Sequence, residues 1–310
     1  MKQLSFVYFQ KAYGRASTVS KVFLFVCVIT VLILIGRGQT KTNEGFGSQL
    51  FANKTGTEIY DGFYSQIYDL LVYNNLKNEY EVGQIVNKTQ PSSKSILLDI
   101  GCGTGHHVAG FAAANIQAMG VDISKAMVAQ AQKNYPSLKF FVKDAMTPSS
   151  FAPQSFTHIT CLYFTLYYFK DKLQFFRNCH TWLKRNGYLI VHLVDRNQFD
   201  PVLPPGNPLL LVSPQKYAPK RITSTAVTFT DFTYKSEFNV NTADNTAVFR
   251  EKFRSKPEGK TYRTNEHHLY MEKQSTILQY ALQAGFTLRE TINLSSVHYE
   301  SQFIYILTSN

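Results

Sequence analysis

Five short apolar runs between residues 95 and 194 constrain the fold more than any other feature of this chain of 310 residues. They occupy residues 95–100, 118–121, 138–142, 157–162 and 188–194. Segments of helical length and composition separate them at about residues 105–114, 124–134 and 170–184. Strands that alternate with helices in this way form a mostly parallel sheet with helices on both faces. The pattern therefore predicts a doubly wound α/β fold.

The sequence on either side extends this prediction. Apolar residues at helical spacing predict a helix over about residues 60–86. Residues 200–272 interrupt this alternation of strands and helices. They begin with several prolines and continue with runs of period-two alternation, which indicate an antiparallel β insertion after the fifth strand. A helix near 274–284 and strands near 287–293 and 301–308 complete a sheet of seven mostly parallel strands.

Glycines and acids follow three successive predicted strands. The first strand runs directly into Gly101, Gly103 and Gly105, where missing side chains let the backbone turn tightly and approach a ligand. The second strand ends in Asp122, and Asp144 follows the third. The carboxyl ends of parallel strands meet at one edge of the sheet, where open α/β folds bind ligands. The spacing predicts a nucleotide site there, with Asp122 suited to a ribose diol.

Residues 97–107, LLDIGCGTGHH, together with the two later acids resemble the class I S-adenosylmethionine-dependent methyltransferases of the small-molecule type. The third glycine comes one residue earlier than in the G-x-G-x-x-G turn of nicotinamide-binding proteins. The resemblance covers about residue 60 to the C-terminus and implies a Rossmann-like fold with S-adenosylmethionine as cofactor. It assigns the methionine moiety to Asp99, Gly101, Cys102, Gly103 and Gly105, the ribose to Asp122, and the adenine to Ile123, Asp144 and Ala145.

Tyrosines on both sides of the glycine turn are further candidates. Tyr64 and Tyr68 share one helix face, similar to the tyrosine-bearing helix that small-molecule members lay over the cofactor. We expect Tyr68 at the cofactor and Tyr64 at the substrate. After the fourth strand we expect Tyr163 beside the cofactor, Tyr167 at the substrate and Tyr168 as a catalytic residue. Ordinary aromatic packing is the alternative for each group.

Histidines are the candidate bases. Methyl transfer from a sulfonium is a direct displacement that depends mainly on holding the acceptor in line in a dry pocket. An amine needs little more, whereas a hydroxyl needs a general base, for which we expect His192 on the fifth strand. A packed core histidine is the alternative. His267 and His268 face opposite sides of a predicted strand, so we expect His267 at the substrate and no metal site.

The expected reaction is methyl transfer to nitrogen or oxygen of a small molecule, with the insertion as a lid over the acceptor. A lipid or isoprenoid acceptor and a catalytically inactive cofactor-binding scaffold are the alternatives. Nucleic acid is disfavoured as a partner. Six of the basic residues behind the net charge of +11 precede Glu44, and no [DN]-P-P-[FY] motif follows the fourth strand.

An apolar run at residues 22–36 lies within a basic leader, residues 1–40. We expect it to form a hydrophobic helix and a single-pass membrane signal-anchor, although its ~21 Å is short for a ~30 Å bilayer core. A cleaved signal peptide and an organelle presequence are alternatives, and the side of the membrane stays open. Residues 41–57 have linker composition, and residues 58–310 are expected to form the methyltransferase domain.

Overall fold

The computed structural model describes residues 51–206, 215, 218–256 and 258–309, which all belong to one compact unit. The elements of its first half are β1 (Ala52–Thr55), α1 (Gly62–Val72), α2 (Asn75–Thr89), β2 (Ile96–Ile100), α3 (His106–Ala113), β3 (Gln117–Asp122), α4 (Lys125–Asn134), β4 (Lys139–Val142), β5 (Phe156–Cys161), α5 (Lys172–Trp182) and β6 (Leu183–Val194). Those of its second half are β7 (Ser224–Thr228), β8 (Phe232–Asn241), β9 (Thr246–Ser255), β10 (Thr261–Tyr270), α6 (Gln274–Gln283), β11 (Phe286–Asn293) and β12 (Gln302–Ser309).

The predicted seven-stranded sheet is confirmed. Its strand order is β11-β12-β6-β5-β2-β3-β4. β12 is antiparallel to both of its neighbours, and the remaining pairs are parallel. The carboxyl ends of β2, β3, β4 and β5 therefore meet at one edge, as the sequence predicts for a ligand site.

The segment predicted as one helix over residues 60–86 forms two, α1 and α2. Tyr73 leaves the helical conformation, and the side chain of Asn74 accepts a hydrogen bond from the backbone N–H of Lys77. Asp61 caps α1 in the same way through the N–H of Tyr64. A side-chain cap of this kind starts a new helix without disturbing the apolar spacing, so periodicity alone predicts an unbroken helix.

The antiparallel insertion is also found, as a second sheet of order β1-β10-β9-β8-β7. β1 pairs with β10 in parallel, with Asn53 opposite Thr264. Residues 52–55 fall within the segment 41–57 that we expected to be a linker, and that expectation is wrong for them. Their polar composition suits an edge strand with solvent on its outer side, which composition does not distinguish from a linker.

The insertion sheet turns one face toward α1. Its buried side chains alternate along each strand, as period-two geometry requires. They include Phe232, Tyr234, Phe238, Ala247, Glu251, Phe253, Asn265, His267 and Leu269. Arg263 joins β10 to the segment before α1, since its guanidinium donates to both carboxylate oxygens of Asp61 at 2.9 and 2.8 Å and to the Ile59 carbonyl at 2.7 Å.

The apolar run at residues 22–36, and with it the predicted membrane helix, lies outside the described residues. Within the part of the chain that the structure describes, no helix is long and apolar enough to cross a membrane.

Candidate active site

The glycine turn after β2 lies against the loop that follows β5. Gly101 has φ +68°, and a Cβ built on it would lie 2.4 Å from the Thr165 methyl carbon. The N–H groups of Gly101 and Cys102 donate to the Val121 carbonyl at 2.8 and 3.0 Å. The tight turn is therefore held by β3 on one side and by Thr165 on the other, and only glycine fits at residue 101.

Asp122 is hydrogen-bonded to this turn. One carboxylate oxygen accepts from the Gly103 N–H at 3.1 Å and the other from the Ser124 N–H at 2.8 Å. Burial raises the pKa of Asp122 even though these backbone donors act in the opposite direction. Ser124 in turn caps α4 by accepting from the Met127 N–H.

A cavity of about 450 Å³ opens beside Asp122, and we call it the nucleoside cavity. Seven of the predicted cofactor residues line it: Tyr68, Gly101, Gly103, Asp122, Ile123, Asp144 and Ala145. Met127, Met146 and Phe169 add apolar walls. Carboxylates within an apolar cleft suit a nucleoside, whose sugar carries hydroxyl donors and whose base is flat and apolar on its faces.

A second cavity, the methionine cavity, lies on the other side of the turn. The predicted residues Asp99, Cys102 and Tyr163 line it, together with Tyr68 and the first two glycines. Asp99 is buried, and burial raises its pKa to about 6 although the Thr160 hydroxyl donates to it at 2.7 Å.

Several charged or polar residues that line the methionine cavity were not predicted from the sequence, among them Lys77, Glu81 and His107. Glu81 accepts hydrogen bonds from the Lys77 ammonium and from His107, the latter at 2.9 Å. Burial would raise the pKa of Glu81, but these two partners lower it to about 2. A Lys–Glu pair four residues apart on a helix is usually a surface pair, so the sequence holds no signal for this one. The cavity thus offers a cation and carboxylates to a zwitterionic methionine moiety.

A third cavity, the acceptor cavity, lies between the main sheet and the insertion sheet. Tyr64 and His267, the expected substrate residues, line it, and so does Tyr168, the expected catalytic tyrosine. Aromatic side chains from the insertion sheet and from segments between the regular elements form much of its wall: Tyr60, Tyr163, Phe164, Phe199, Phe238, Phe249 and Tyr299. Asp200 contributes a carboxylate, and none of the described residues that line the cavity is lysine or arginine.

Two predicted residues prove to be core residues. Tyr167 is completely buried, and its hydroxyl accepts from the Val194 N–H at 2.8 Å, so it does not reach the substrate cavity. His192 is also completely buried and lines none of the three cavities. Burial lowers its pKa to about 4, and its ring nitrogens lie 2.7 Å from the Tyr163 carbonyl and 3.1 Å from the Gln302 amide. The proposed role of His192 as the general base is therefore not supported.

His192 instead supports a strained residue. Tyr163 has φ +53°, an unfavourable conformation for a tyrosine, and its carbonyl accepts from His192 Nδ1. Gly105, the third glycine of the turn, lines none of these three cavities either. It precedes α3 with φ +93° and packs against Phe140.

The three cavities meet at two side chains. Tyr68 and Thr165 line all of them, and Tyr60 and Tyr168 line both the nucleoside cavity and the acceptor cavity. The hydroxyls of Tyr60 and Tyr168 are 2.8 Å apart. A ligand that fills the first two cavities would have its middle at this junction, facing a molecule in the third.

Residues 98–191 match a family model described as a methyltransferase domain. The chain carries a class I S-adenosylmethionine-dependent methyltransferase domain. S-adenosylmethionine is accordingly its cofactor, and the paired cavities around the glycine turn fit the nucleoside and the zwitterionic end of that molecule. Among the described residues, no group of three or more His, Cys, Asp or Glu side chains is placed to hold a metal ion.

One curated relative is a dTDP-4-amino-2,3,4,6-tetradeoxy-D-glucose N,N-dimethyltransferase from Saccharopolyspora spinosa. It is 32% identical over 114 residues, which are 36% of this chain and 45% of the relative. The match therefore spans less than half of that enzyme.

Solved structures share the fold of the methyltransferase domain across nearly their whole length. The CcbJ methyltransferase from Streptomyces caelestis gives a TM-score of 0.62 at 12% identity, covering 82% of this chain and 100% of that one. The sugar N-methyltransferase KedS8 from Streptoalloteichus gives 0.59 at 18% identity, covering 86% and 99%. An S-adenosylmethionine-dependent methyltransferase from Clostridium acetobutylicum gives 0.60 at 16% identity, covering 80% and 98%.

Proposed function

We propose that this chain transfers the methyl group of S-adenosylmethionine to the amine nitrogen of a small molecule. The observation that carries the proposal is the meeting of the three cavities at Tyr68 and Thr165. This geometry suits a direct displacement, because cofactor and acceptor enter from separate cavities and face each other at one point.

S-adenosylmethionine supplies a methyl group on a positively charged sulfur. The protein holds the acceptor and excludes water. Phenylalanines at residues 164, 199, 238 and 249 line the acceptor cavity, and an apolar wall of this kind strengthens electrostatic interactions inside it. The Tyr60 and Tyr168 hydroxyls lie at the junction and can accept hydrogen bonds from an incoming N–H group.

Charge favours an amine over an anionic acceptor. Asp200 lines the acceptor cavity and the buried Glu251 lies directly behind His267, whereas no described lysine or arginine lines it. Aromatic faces and carboxylates attract ammonium groups. The matched region of the Saccharopolyspora spinosa relative belongs to an enzyme named for the dimethylation of an amino sugar, which supports an amine on a sugar-sized molecule.

The test is a methyl-transfer assay with the full chain and radiolabelled S-adenosylmethionine. The acceptors are amino sugars and alkylamines, each matched with the compound that carries a hydroxyl in place of the amine. We expect label in amines and little in their hydroxyl counterparts. Label confined to hydroxyl compounds or to a lipid extract contradicts the proposal. Tight binding of S-adenosylhomocysteine by calorimetry without any transfer would instead indicate an inactive scaffold.

A further inference from the structure

Four side chains form a continuous hydrogen-bonded path from the acceptor cavity into the insertion sheet, and we call it the relay. The Tyr60 hydroxyl donates to the Tyr168 hydroxyl at 2.8 Å. The Tyr168 hydroxyl lies 2.7 Å from Nδ1 of His267. Nε2 of His267 lies 2.8 Å from a carboxylate oxygen of Glu251. The relay thus joins three separate parts of the chain: the segment before α1, the loop after β5, and the strands β9 and β10.

The inner end of the relay is a buried carboxylate. Glu251 is 2% exposed and also accepts from the hydroxyls of Tyr64 and Tyr234, at 3.0 and 2.7 Å, and from the Asn265 amide at 2.8 Å. Burial alone would raise the pKa of Glu251, but the hydrogen bonds from His267, Asn265 and Tyr234 hold it below its usual value. Glu251 is therefore an anion, and its ion-pair partner is His267.

The partners determine the direction of the relay. Because an ionised carboxylate only accepts hydrogen bonds, Nε2 of His267 must donate to Glu251. In the neutral ring Nδ1 is then an acceptor, and it receives the hydrogen bond of the Tyr168 hydroxyl. This arrangement of carboxylate, oriented imidazole and hydroxyl is one in which the imidazole can take up a proton.

The outer end of the relay lies where methyl transfer is proposed to occur. Tyr60 and Tyr168 line both the nucleoside and the acceptor cavity. Burial raises the pKa of both hydroxyls above the ordinary value, so each hydroxyl keeps a proton at neutral pH. A tyrosine hydroxyl in such a series of hydrogen bonds gives its own proton to the next group toward His267 only as it receives a proton from the side of the acceptor cavity.

We propose that His267 is the general base that deprotonates the acceptor ammonium through Tyr168 and Tyr60, and that Glu251 positions it and stabilises its charged form. This inference rests on the proposed function, because only an amine acceptor arrives as an ammonium. An alkylammonium has no free electron pair and cannot attack until it loses a proton. The proton passes to the Tyr60 oxygen, the proton of Tyr60 to the Tyr168 oxygen, and that of Tyr168 to Nδ1 of His267.

The step balances without any further reactant. One proton leaves the acceptor nitrogen and one arrives at His267, while both tyrosines end as neutral hydroxyls. The freed electron pair on nitrogen forms the N–C bond as the C–S bond breaks and leaves its pair on sulfur. The imidazolium remains paired with Glu251.

The titratable groups that face His267 come from several elements. Glu251 faces it from β9 and Tyr168 from the loop after β5. Tyr60 faces it from the segment before α1, and Tyr64 from α1 itself. The ionised one among them at neutral pH is Glu251, since burial raises the pKa of all three tyrosines. The charge of Glu251 therefore stabilises a proton on His267.

The first experiment needs no acceptor. Nitrogen NMR of histidine-labelled full chain bound to S-adenosylhomocysteine reports which ring nitrogen carries the proton, and the signal missing in His267→Asn identifies His267. We expect the neutral ring to carry its proton on Nε2. In Glu251→Gln we expect the proton to be shared between Nδ1 and Nε2, because a glutamine amide can donate as well as accept and so no longer fixes the tautomer. A neutral ring protonated on Nδ1 in the wild type, or the same distribution of the proton in Glu251→Gln, overturns the proposal.

The second experiment measures turnover against pH with the amine that gives most label in the acceptor screen. Wild-type kcat should fall on the acidic side as His267 becomes protonated. His267→Asn should lower kcat at neutral pH by about 100-fold or more and lose that acidic decline, with KM for the amine changing much less. Tyr168→Phe, which breaks the relay, should show the same lower kcat and the same loss of the acidic decline.

Tyr234→Phe is the matched control for Tyr168→Phe. It also removes a hydroxyl hydrogen-bonded to the His267–Glu251 pair, but from a side that lines none of the three cavities. It should keep the acidic decline, and Tyr168→Phe with a wild-type pH profile contradicts the relay. A wild-type circular dichroism spectrum and thermal unfolding transition show that each variant is folded. If no amine is methylated by the wild type, the proposed function fails while the NMR result still decides the direction of the relay.

Discussion

His192 and His267 show how neighbours decide the chemistry of one residue type. Both are buried on strands. His192 faces a backbone carbonyl and an amide, and burial holds its pKa at about 4. His267 faces an anionic carboxylate on one side and a tyrosine hydroxyl at a cavity on the other. The first is therefore a neutral support for Tyr163, whereas the second has the surroundings of a base.

Asp122→Ala should weaken binding of S-adenosylhomocysteine by about 10- to 100-fold. The side chain holds the Gly103 and Ser124 N–H groups and lines the nucleoside cavity, and a hydrogen bond to a charged group contributes about 1.5–3 kcal/mol. Isothermal titration calorimetry measures the change. Asp231→Ala, at an exposed aspartate, is the control and should bind normally. Near-normal affinity in Asp122→Ala would count against the assigned site.

His158 should make the fold sensitive to acid. Burial lowers its folded-state pKa from 6.5 to about 4, so between these values the unfolded chain binds a proton that the folded chain does not. Its contribution is fully present above pH 6.5 and is lost as the pH falls toward 4. The loss is at most about 3 kcal/mol.

Urea unfolding of wild type and His158→Asn at pH 7.5 and pH 5 tests this expectation. The free energy of unfolding should fall less on acidification in the variant than in the wild type. Comparing the two falls removes the contributions of groups common to both proteins, such as Glu81 and Asp99. Equal falls would show that His158 titrates normally in the folded protein.

At the scale of the element, the first two glycines of the turn have different surroundings, which the sequence pattern does not distinguish. Gly101→Ala should abolish measurable binding of S-adenosylhomocysteine, because a Cβ there would lie 2.4 Å from Thr165 at φ +68°. Gly103→Ala meets only the Tyr68 ring, at 3.6 Å, at φ +54°. It should weaken binding by about 5-fold, which corresponds to a cost of about 1 kcal/mol for the backbone. Isothermal titration calorimetry measures the affinity of both variants for S-adenosylhomocysteine. Equal losses of affinity would contradict the expected difference between the two glycines.

The link between β10 and α1 should depend on arginine geometry. Arg263→Lys loses the two-pronged contact with Asp61 and the bond to the Ile59 carbonyl, so we expect about 2–4 kcal/mol lower stability in denaturant unfolding. Arg250→Lys is the matched control, since Arg250 pairs with Glu266 on the exposed face of the same sheet. It should change stability by less than about 1 kcal/mol. Equal effects of the two substitutions would exclude a special role for Arg263.

At the scale of the whole molecule, the leader should be separable from the chain that starts at residue 51. Every described residue that lines the three cavities lies at or after Gly56, and β1 begins at Ala52. A chain that starts at residue 51 should therefore bind S-adenosylhomocysteine as the full chain does. The membrane anchor at residues 22–36 stays a prediction.

Membrane flotation tests the anchor. The full chain should float with membranes, and the chain that starts at residue 51 should not. A chain that starts at residue 57 also lacks β1 and its pairing with β10, so comparing it with the chain that starts at residue 51 separates the effect of β1 from that of the leader. Equal flotation of the full and shortened chains would exclude an anchor in the leader.

The sequence by itself determined the parallel sheet, the glycine turn and the acid at the end of β3. These features are local, because a period of 2 or 3.6 residues and the conformational role of a glycine can be recognised within a few residues of sequence. The antiparallel insertion, strands β7 to β10, could be recognised for the same reason, although the short polar strand β1 that joins its sheet could not.

Only the tertiary structure decided which buried polar residues work together. Tyr64 and Glu251 are 187 residues apart, and Tyr168 and His267 are 99 apart. Glu251 occupies an inward position of an alternating strand, yet nothing in that alternation names its partners. The partners follow from packing the insertion sheet against α1 and the edge of the main sheet. That packing makes His267 a base candidate and His192 a support, because burial and neighbouring charge set the pKa of a histidine.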